Sequence, residues 1–376
     1  MKLYSNDLLL LLSLLAAAPQ GEALKVLWGD TVESKVDVID TIVADENSKL
    51  DVIEARIDEL TPTLLDSSDI SGGTITISSA GNYRLEEDVT ANVSITSSSV
   101  TLDLNNRSVF GTLSISGNKE YVKVRNGNFF PPAPSSGTTV TLNIPWPTYR
   151  ILLENLVIVC ADSIGVAVPG RYGIRIGGRF IQVLNCVVVS GAASDGDGTT
   201  SLGAVGGRGI DVLSTAGWGI IKNCVISTGK GSSTIAAGST GGAGGIGIYC
   251  DRSDYMEIIG CTILGTGKGG DGVFRGGAGG TGMLLSSNSL DLAVRDCMVK
   301  NIGRGGAGST AGWNGRGVIN SETSATLKSI VLRNKGYNIP WVKFNLVGGF
   351  TEKGVQITPY PPTTTAINAY ANTYVL

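Results

Sequence analysis

The chain contains no histidine among its 376 residues. That absence removes Ser-His and Cys-His nucleophile pairs, histidine-ligated zinc and the usual general base near neutral pH. Any chemistry has to rest on Asp, Glu, Lys, Arg or Tyr. Charge is sparse as well: charged residues are 16% of the sequence and the formal net charge is -3. A chain this close to neutrality, without Lys or Arg runs, is not built to neutralise nucleic-acid phosphates or an anionic membrane surface. It has no C-x-x-C pair, which argues against a thiolate metal site, and no G-x-x-x-x-G-K-[ST] loop to cradle a phosphate. No stretch has the ~18 uninterrupted apolar residues of a membrane span. What is present in excess is glycine, 53 residues, about twice the ordinary ~7%. Over the whole chain the glycines follow no strict every-third period, which excludes collagen and implies loops or tight turns.

The opening "MKLYSNDLLLLLSLLAAAPQGEA" has Lys2, an apolar run from Leu8 to Ala18 and small residues at Gly21 and Ala23. It reads as a secretory signal over residues 1–23, with a buried N-terminal helix as the alternative. The expected location is therefore secreted or at the cell surface. Residues 24–64 read as a helical stalk. Val32, Val36, Ile39, Val43, Leu50, Ile53, Ile57 and Leu60 follow steps of four and three, interrupted only at Glu46, and "SKVDVID" and "SKLDVIE" lie two heptads apart. This predicts a short coiled coil and a homo-oligomer formed through residues 32–60, with a trimer favoured by the mixed Val, Ile and Leu seam. A single amphipathic helix lying on the body of the same chain is the other reading. Pro62, Gly72 and Gly73 end the helix.

A short phrase then recurs. Asn106, Asn126, Asn155, Asn185 and Asn223, followed by Gly260, Asp296 and Ser329, stand at the same place in units such as "VLNCVVVSG" and "IIKNCVISTG". The units are rich in β-branched residues and flanked by glycine, so they predict strands. Strand, left-handed turn residue and second strand make one coil of a parallel β-helix. The asparagines are expected to stack and to satisfy buried polar groups. The run "GNYRLEEDVTANVSITSSSVTLDLNNRSVFG", residues 81–111, resembles the opening coils of the right-handed parallel β-helix repeat proteins, whose fold is shared with pectate lyases. The resemblance covers about residues 70–340. It implies an all-β, right-handed parallel β-helix over residues 65–340, preceded by the α-helical coiled-coil stalk and closed by a C-terminal cap over 341–376. The fold carries lyases, hydrolases, adhesins and tail spikes, so it does not select an activity.

Cys186, Cys224, Cys261 and Cys297 follow the turn residue in successive coils, where Leu156 and Ile330 stand in flanking ones. That row predicts a stack of small buried hydrophobes. Cys250 aligns inward with Ile176, Val212 and Leu285. A disulfide framework is the rival reading for six cysteines in an exported protein.

Alternation along "GIRIG", "GIDVL" and "GIYCD" places Arg175, Asp211, Tyr249 and Asp251 outward on one sheet. This patch is a candidate sugar-binding surface or a salt bridge between coils. In pectate-lyase-like enzymes carboxylates hold calcium and an arginine acts as base, and Asp211, Asp251 and Arg175 resemble that set without matching its motif. Four glycine-rich inserts, "GAASDGDGTTSLGAVGG", "GKGSSTIAAGSTGGAGG", "GKGGDGVFRGGAGG" and "GRGGAGSTAGWNG", fall at one place in successive coils and predict a crest packed backbone on backbone. Phe274, Arg275, Trp313 and Asn314 are its candidate ligand contacts. "TGKGGDGVF" nearly matches a calcium-binding nonapeptide, but Thr266 replaces its first glycine and it occurs once. No metal site and no cofactor are expected, with carboxylate-held Ca2+ left open. The reading that results is an exported structural or adhesive β-helix with a polysaccharide or cell-surface ligand. Its alternatives are a polysaccharide lyase, a glycoside hydrolase or a tail-spike-like depolymerase.

Overall fold

A computed structural model describes residues 61–132, 140–197, 199–251, 253–285, 292–320, 326–328, 331–333 and 373–375. The chain divides into two units, Met1–Thr61 and Pro62–Leu376. The expected signal segment and the expected stalk through residue 60 lie outside the described residues, as do Ser329 and Ile330 and nearly all of the expected cap; Thr63 and Leu64, the last residues assigned to the stalk, belong to a strand, Thr63–Leu65, that pairs in parallel with Gly81–Leu85.

The second unit is all-β, with parallel sheets wound as a solenoid. Nine strands pair in parallel and in chain order: Thr74–Ile77, Asn92–Ile95, Leu113–Ile115, Val140–Ile144, Tyr172–Ile176, Ile210–Val212, Ile246–Cys250, Thr281–Leu285 and Val318–Asn320. One inward column threads them, Ile75, Val93, Leu113, Leu142, Ile174, Ile210, Ile248, Met283 and Val318, each opposite the next. All nine are buried. A seventeen-stranded sheet forms the other two sides of each coil. In one coil its strands are Gln182–Leu184 and Val187–Val189, separated by Asn185 at φ 54°. In two earlier coils Glu120–Phe129 and Tyr149–Val159 run through the corner unbroken, with Asn126 and Asn155 at φ 58° and 54°. Asn tolerates this left-handed geometry because its short polar side chain bonds locally.

The predicted turn residues are all left-handed where described: Asn106, Asn126, Asn155, Asn185, Asn223, Gly260 and Asp296 have φ between 54° and 62°. Their side chains do form a ladder. Asn155 Nδ2 donates to Asn126 Oδ1 at 3.1 Å, Asn185 to Asn155 at 3.3 Å and Asn223 to Asn185 at 3.3 Å. Contrary to expectation, the ladder lies outside the core and Asn155, Asn185 and Asn223 are exposed. The left-handed residue turns its side chain outward and delivers the next one, Leu156, Cys186, Cys224, Cys261 or Cys297, to the interior at 0% exposure.

Each coil repeats the same inward set. Ile174, Ile176, Ile181, Val183, Cys186 and Val188 fill one layer, and each fully buried aliphatic contributes roughly 1.5–3 kcal/mol of transfer free energy. Where Gly219 leaves a gap in the next coil, the Met256 thioether lies against it from above. The final described strand, Thr373–Val375, pairs antiparallel with Val331–Arg333 at the end of the solenoid.

All six cysteines are free and buried, which sets aside the disulfide framework. Stacked parallel side chains do not give the near-perpendicular torsion that a disulfide needs. Burial pushes the Cys250 thiol up to about 12 from an ordinary 9.0 and Cys160 to about 11. Hydrogen bonding to the preceding thiol, then burial, raises Cys224 and Cys261 to about 12. A thiol whose pKa is higher folded than unfolded binds its proton more tightly in the native state. Its contribution is complete below pH 9 and declines as pH rises toward 12. We expect the urea midpoint to fall progressively above pH 9, and the native chain to resist a thiol-specific dye that labels all six cysteines in denaturant. Rapid native labelling would contradict this packing.

Candidate functional site

Three surfaces bring chemistry-bearing side chains together. The first is the predicted sheet-face cluster. Parallel pairing sets Arg175 opposite Asp211 and Asp211 opposite Tyr249. Asp211, however, is not part of an exposed patch: its side chain is 1% exposed. Arg175 Nε donates to its Oδ2 at 3.0 Å and Arg208 Nη1 to its Oδ1 at 2.6 Å. Arg208 lies 3.9 Å from the Tyr249 ring centroid and 5.4 Å from that of Tyr172, while Arg175 lies 5.0 Å from Tyr172. Burial works against the Arg208 charge, but the Asp211 carboxylate outweighs it and holds the guanidinium above its ordinary pKa. Asp251 follows the strand Ile246–Cys250, half-buried, its N–H donating to the Val212 carbonyl at 2.9 Å. The sequence pattern missed Arg208 and Tyr172 because each stands just before the glycine, Gly209 or Gly173, at which the alternation begins.

The second surface is the crest. Each insert leaves the seventeen-stranded sheet on an outgoing arm and comes back on a return arm to the nine-stranded one. Hydrogen bonds recur at every third residue. Between return arms, Gly241 and Gly244 donate to the Arg275 and Ala278 carbonyls, both at 2.9 Å, and Gly276 and Gly279 to Thr310 and Trp313 at 2.9 and 2.7 Å. Between the two arms of one insert, Gly277 donates to Gly270 at 2.8 Å and Gly280 to Gly267 at 2.7 Å. A three-residue period with no internal bonds is that of a polyproline-II helix, so the crest is two layers of such helices bonded laterally. The whole-chain composition hid this period, although "GGAGG" at 241–245 and again at 276–280 displays it.

Of the four residues expected to contact a ligand from the crest, Phe274 and Trp313 are exposed on its return-arm side and Arg275 is half-buried beside them. Phe274 is 58% and Trp313 65% exposed, and the Arg275 guanidinium sits 4.7 Å from the Trp313 ring centroid. Asn314 has an internal role instead, its Oδ1 accepting from Gly305 N–H at 3.2 Å.

The third surface was not anticipated. At the corner where the nine-stranded sheet hands over to the seventeen-stranded one, Tyr121, Arg150, Phe180, Trp218 and Tyr255 occupy one position in five successive coils. Each is left-handed, with φ between 48° and 57°. Phe180 stacks on Trp218 at 5.4 Å and 10°, and Trp218 on Tyr255 at 5.0 Å and 1°. Arg150 lies 5.0 Å from the Tyr121 centroid and 5.7 Å from that of Phe180. Beside the column Arg179 bridges Trp146 and Trp218, at 5.0 and 5.5 Å. All four column aromatics are exposed, from 39% for Tyr255 to 56% for Tyr121. A signal existed: each column residue stands five positions before the turn residue of its coil, Asn126, Asn155, Asn185, Asn223 or Gly260.

No group of three or more Cys, Asp or Glu side chains placed to hold a metal occurs among the described residues, and none of their helices is long and apolar enough to cross a membrane. No protein-family model matches the chain, and no curated protein does. Among solved structures, the crystal structure of PfbA, a surface adhesin of Streptococcus pneumoniae, is similar over 82% of this chain and 93% of that chain, with 10% sequence identity and a TM-score of 0.20.

Proposed function

We propose that the chain is an exported, right-handed parallel β-helix presented at a surface, where its role is adhesive and not catalytic. The observation that supports this reading is the state of Asp211. It is one of the two acids, with Asp251, that an enzyme on the sheet face would use, and it is enclosed beneath two guanidiniums, with both oxygens engaged. A general base must be able to reach the proton it abstracts. The exposed aromatic side chains of the crest, and the exposed aromatic and arginine side chains of the corner column, suit binding, because such residues are enriched at the contact hot spots of recognition surfaces. The coiled coil over residues 32–60 would join copies of the chain, a trimer being favoured, and so multiply weak contacts. A polysaccharide is the finer expectation for the ligand of the crest, with Trp313 as its stacking platform.

The test is incubation of the purified chain with a panel of neutral and acidic polysaccharides, with and without calcium. New reducing ends, unsaturated products and retention on immobilised polymer are all followed. Retention of at least one polymer without cleavage is expected. Cleavage of any polymer would overturn the proposal, and its disappearance in folded Asp211→Asn would restore the lyase or hydrolase reading on the sheet face.

A further inference from the structure

We propose that the corner column, Tyr121, Arg150, Phe180, Trp218 and Tyr255 with Arg179 beside it, is a docking surface for an extended acidic polypeptide. This names a partner for the adhesive role and rests on that reading.

The first argument is a contrast within the fold. Both corners of the seventeen-stranded sheet demand a left-handed residue in coil after coil. One corner uses Asn106, Asn126, Asn155, Asn185 and Asn223, for which that geometry is easy, whereas the other uses Tyr, Arg, Phe, Trp and Tyr, for which it is strained. The turn alone does not call for bulky side chains.

The second argument concerns what the column exposes. Phe180 has Arg150 on one face and Trp218 on the other, while Trp218 lies between Phe180 and Tyr255. Those covered faces cannot stack on a sugar ring. Between the end residues Tyr121 and Tyr255, what reaches solvent is ring edges, which carry the positive end of the quadrupole, and guanidinium donors held in place by the rings. Arg150 is 52% exposed and shares one carboxylate, Glu120 at 3.3 Å, itself 42% exposed. Arg179 has no ion-pair partner among the described residues. The surface therefore combines apolar edges with a net positive charge, the Arg150 and Arg179 guanidiniums against the single Glu120 carboxylate, and complementarity selects an acidic partner with apolar side chains of its own. An extended segment suits a straight column whose rungs repeat every ~4.8 Å.

The test measures fluorescence polarisation of a labelled glutamate-tyrosine copolymer titrated with the full chain, with polygalacturonate and a neutral glucan as competitors. Binding is expected to weaken as salt rises, and to weaken at least tenfold in Arg150→Gln/Arg179→Gln with an unchanged melting temperature. Arg179→Lys, which keeps the charge but loses the planar fork, is expected to fall between and serves if the double variant does not fold. Equal affinity of wild type and variants would overturn the column while leaving the adhesive reading intact. So would no binding of the copolymer, or tighter competition by polygalacturonate that is lost in the variants. Cleavage in the polysaccharide panel would overturn the adhesive reading itself.

Discussion

Gly267→Ala is expected to destabilise the crest by about 3 kcal/mol or more, at the top of the range for overpacking. A Cβ at Gly267 would be driven into the Gly229 carbonyl of the coil before it, and the obstructing atoms are backbone. A side chain in the way can rotate aside; a carbonyl bonded into a neighbouring helix cannot. Gly267 is also a junction, because its carbonyl accepts from Gly280 at 2.7 Å and its N–H donates to Thr228 Oγ1 at 3.0 Å. Any shift that relieved the clash would break bonds in both layers. Two residues earlier in the chain, a Cβ at Gly265 would meet nothing closer than 3.7 Å, so Gly265→Ala is expected to lie within about 0.5 kcal/mol of wild type. Urea unfolding and limited proteolysis of the two variants make the comparison. Indistinguishable midpoints and cleavage patterns would mean that the arms do not pack at backbone distance.

The pair of glycines also shows why the fold was more legible than the surfaces. The solenoid could be read because its determinants are local and repeated. A turn residue, the buried side chain after it and a β-branched run recur in each coil, and pairing registers Asn155, Asn185 and Asn223 as the alignment required. The side of the wall on which the asparagines sit is not legible in the sequence, since spacing does not record how a left-handed residue rotates its side chain relative to the next. The crest's helices were hidden by averaging: a period of three confined to arms of a few residues vanishes in a composition of 53 glycines. The aromatic column was present at a constant offset of five. It was invisible because Arg150 among Tyr, Phe and Trp breaks any search for one residue type, and stacking on the aromatics is what unites them. Arg208 escaped for a geometric reason. A Cβ at Gly209 would point at Ile226 in the core, so alternation counted from Ile210 puts Arg208 on the wrong face.

That misplacement matters most for Asp211→Ala, the substitution that separates an adhesive from a catalytic reading. Without the carboxylate, Arg175 and Arg208 would face each other across one coil with no counter-charge between them. Breaking a fully buried pair costs ~3–5 kcal/mol. The two arginine side chains here are 32% and 28% exposed, so solvent would recover part of this, and the expected loss is about 2–4 kcal/mol. It should persist in high salt, because the carboxylate is too deep to be screened. Asp211→Asn, which preserves shape and one acceptor, should lose less. Replacing Asp211 and Arg175 together by alanine removes one charge of each sign and should cost less than the sum of Asp211→Ala and Arg175→Ala, the difference being the coupling energy of the double-mutant cycle. A catalytic aspartate behaves in the opposite way: its asparagine variant keeps or gains stability and loses turnover, since such sites are strained for function. Unfolding curves for these variants therefore test the assignment before any substrate is known. If Asp211→Ala matched wild type in stability, the carboxylate would not be the keystone of this cluster, and the sheet face would again be the place to look for a reaction.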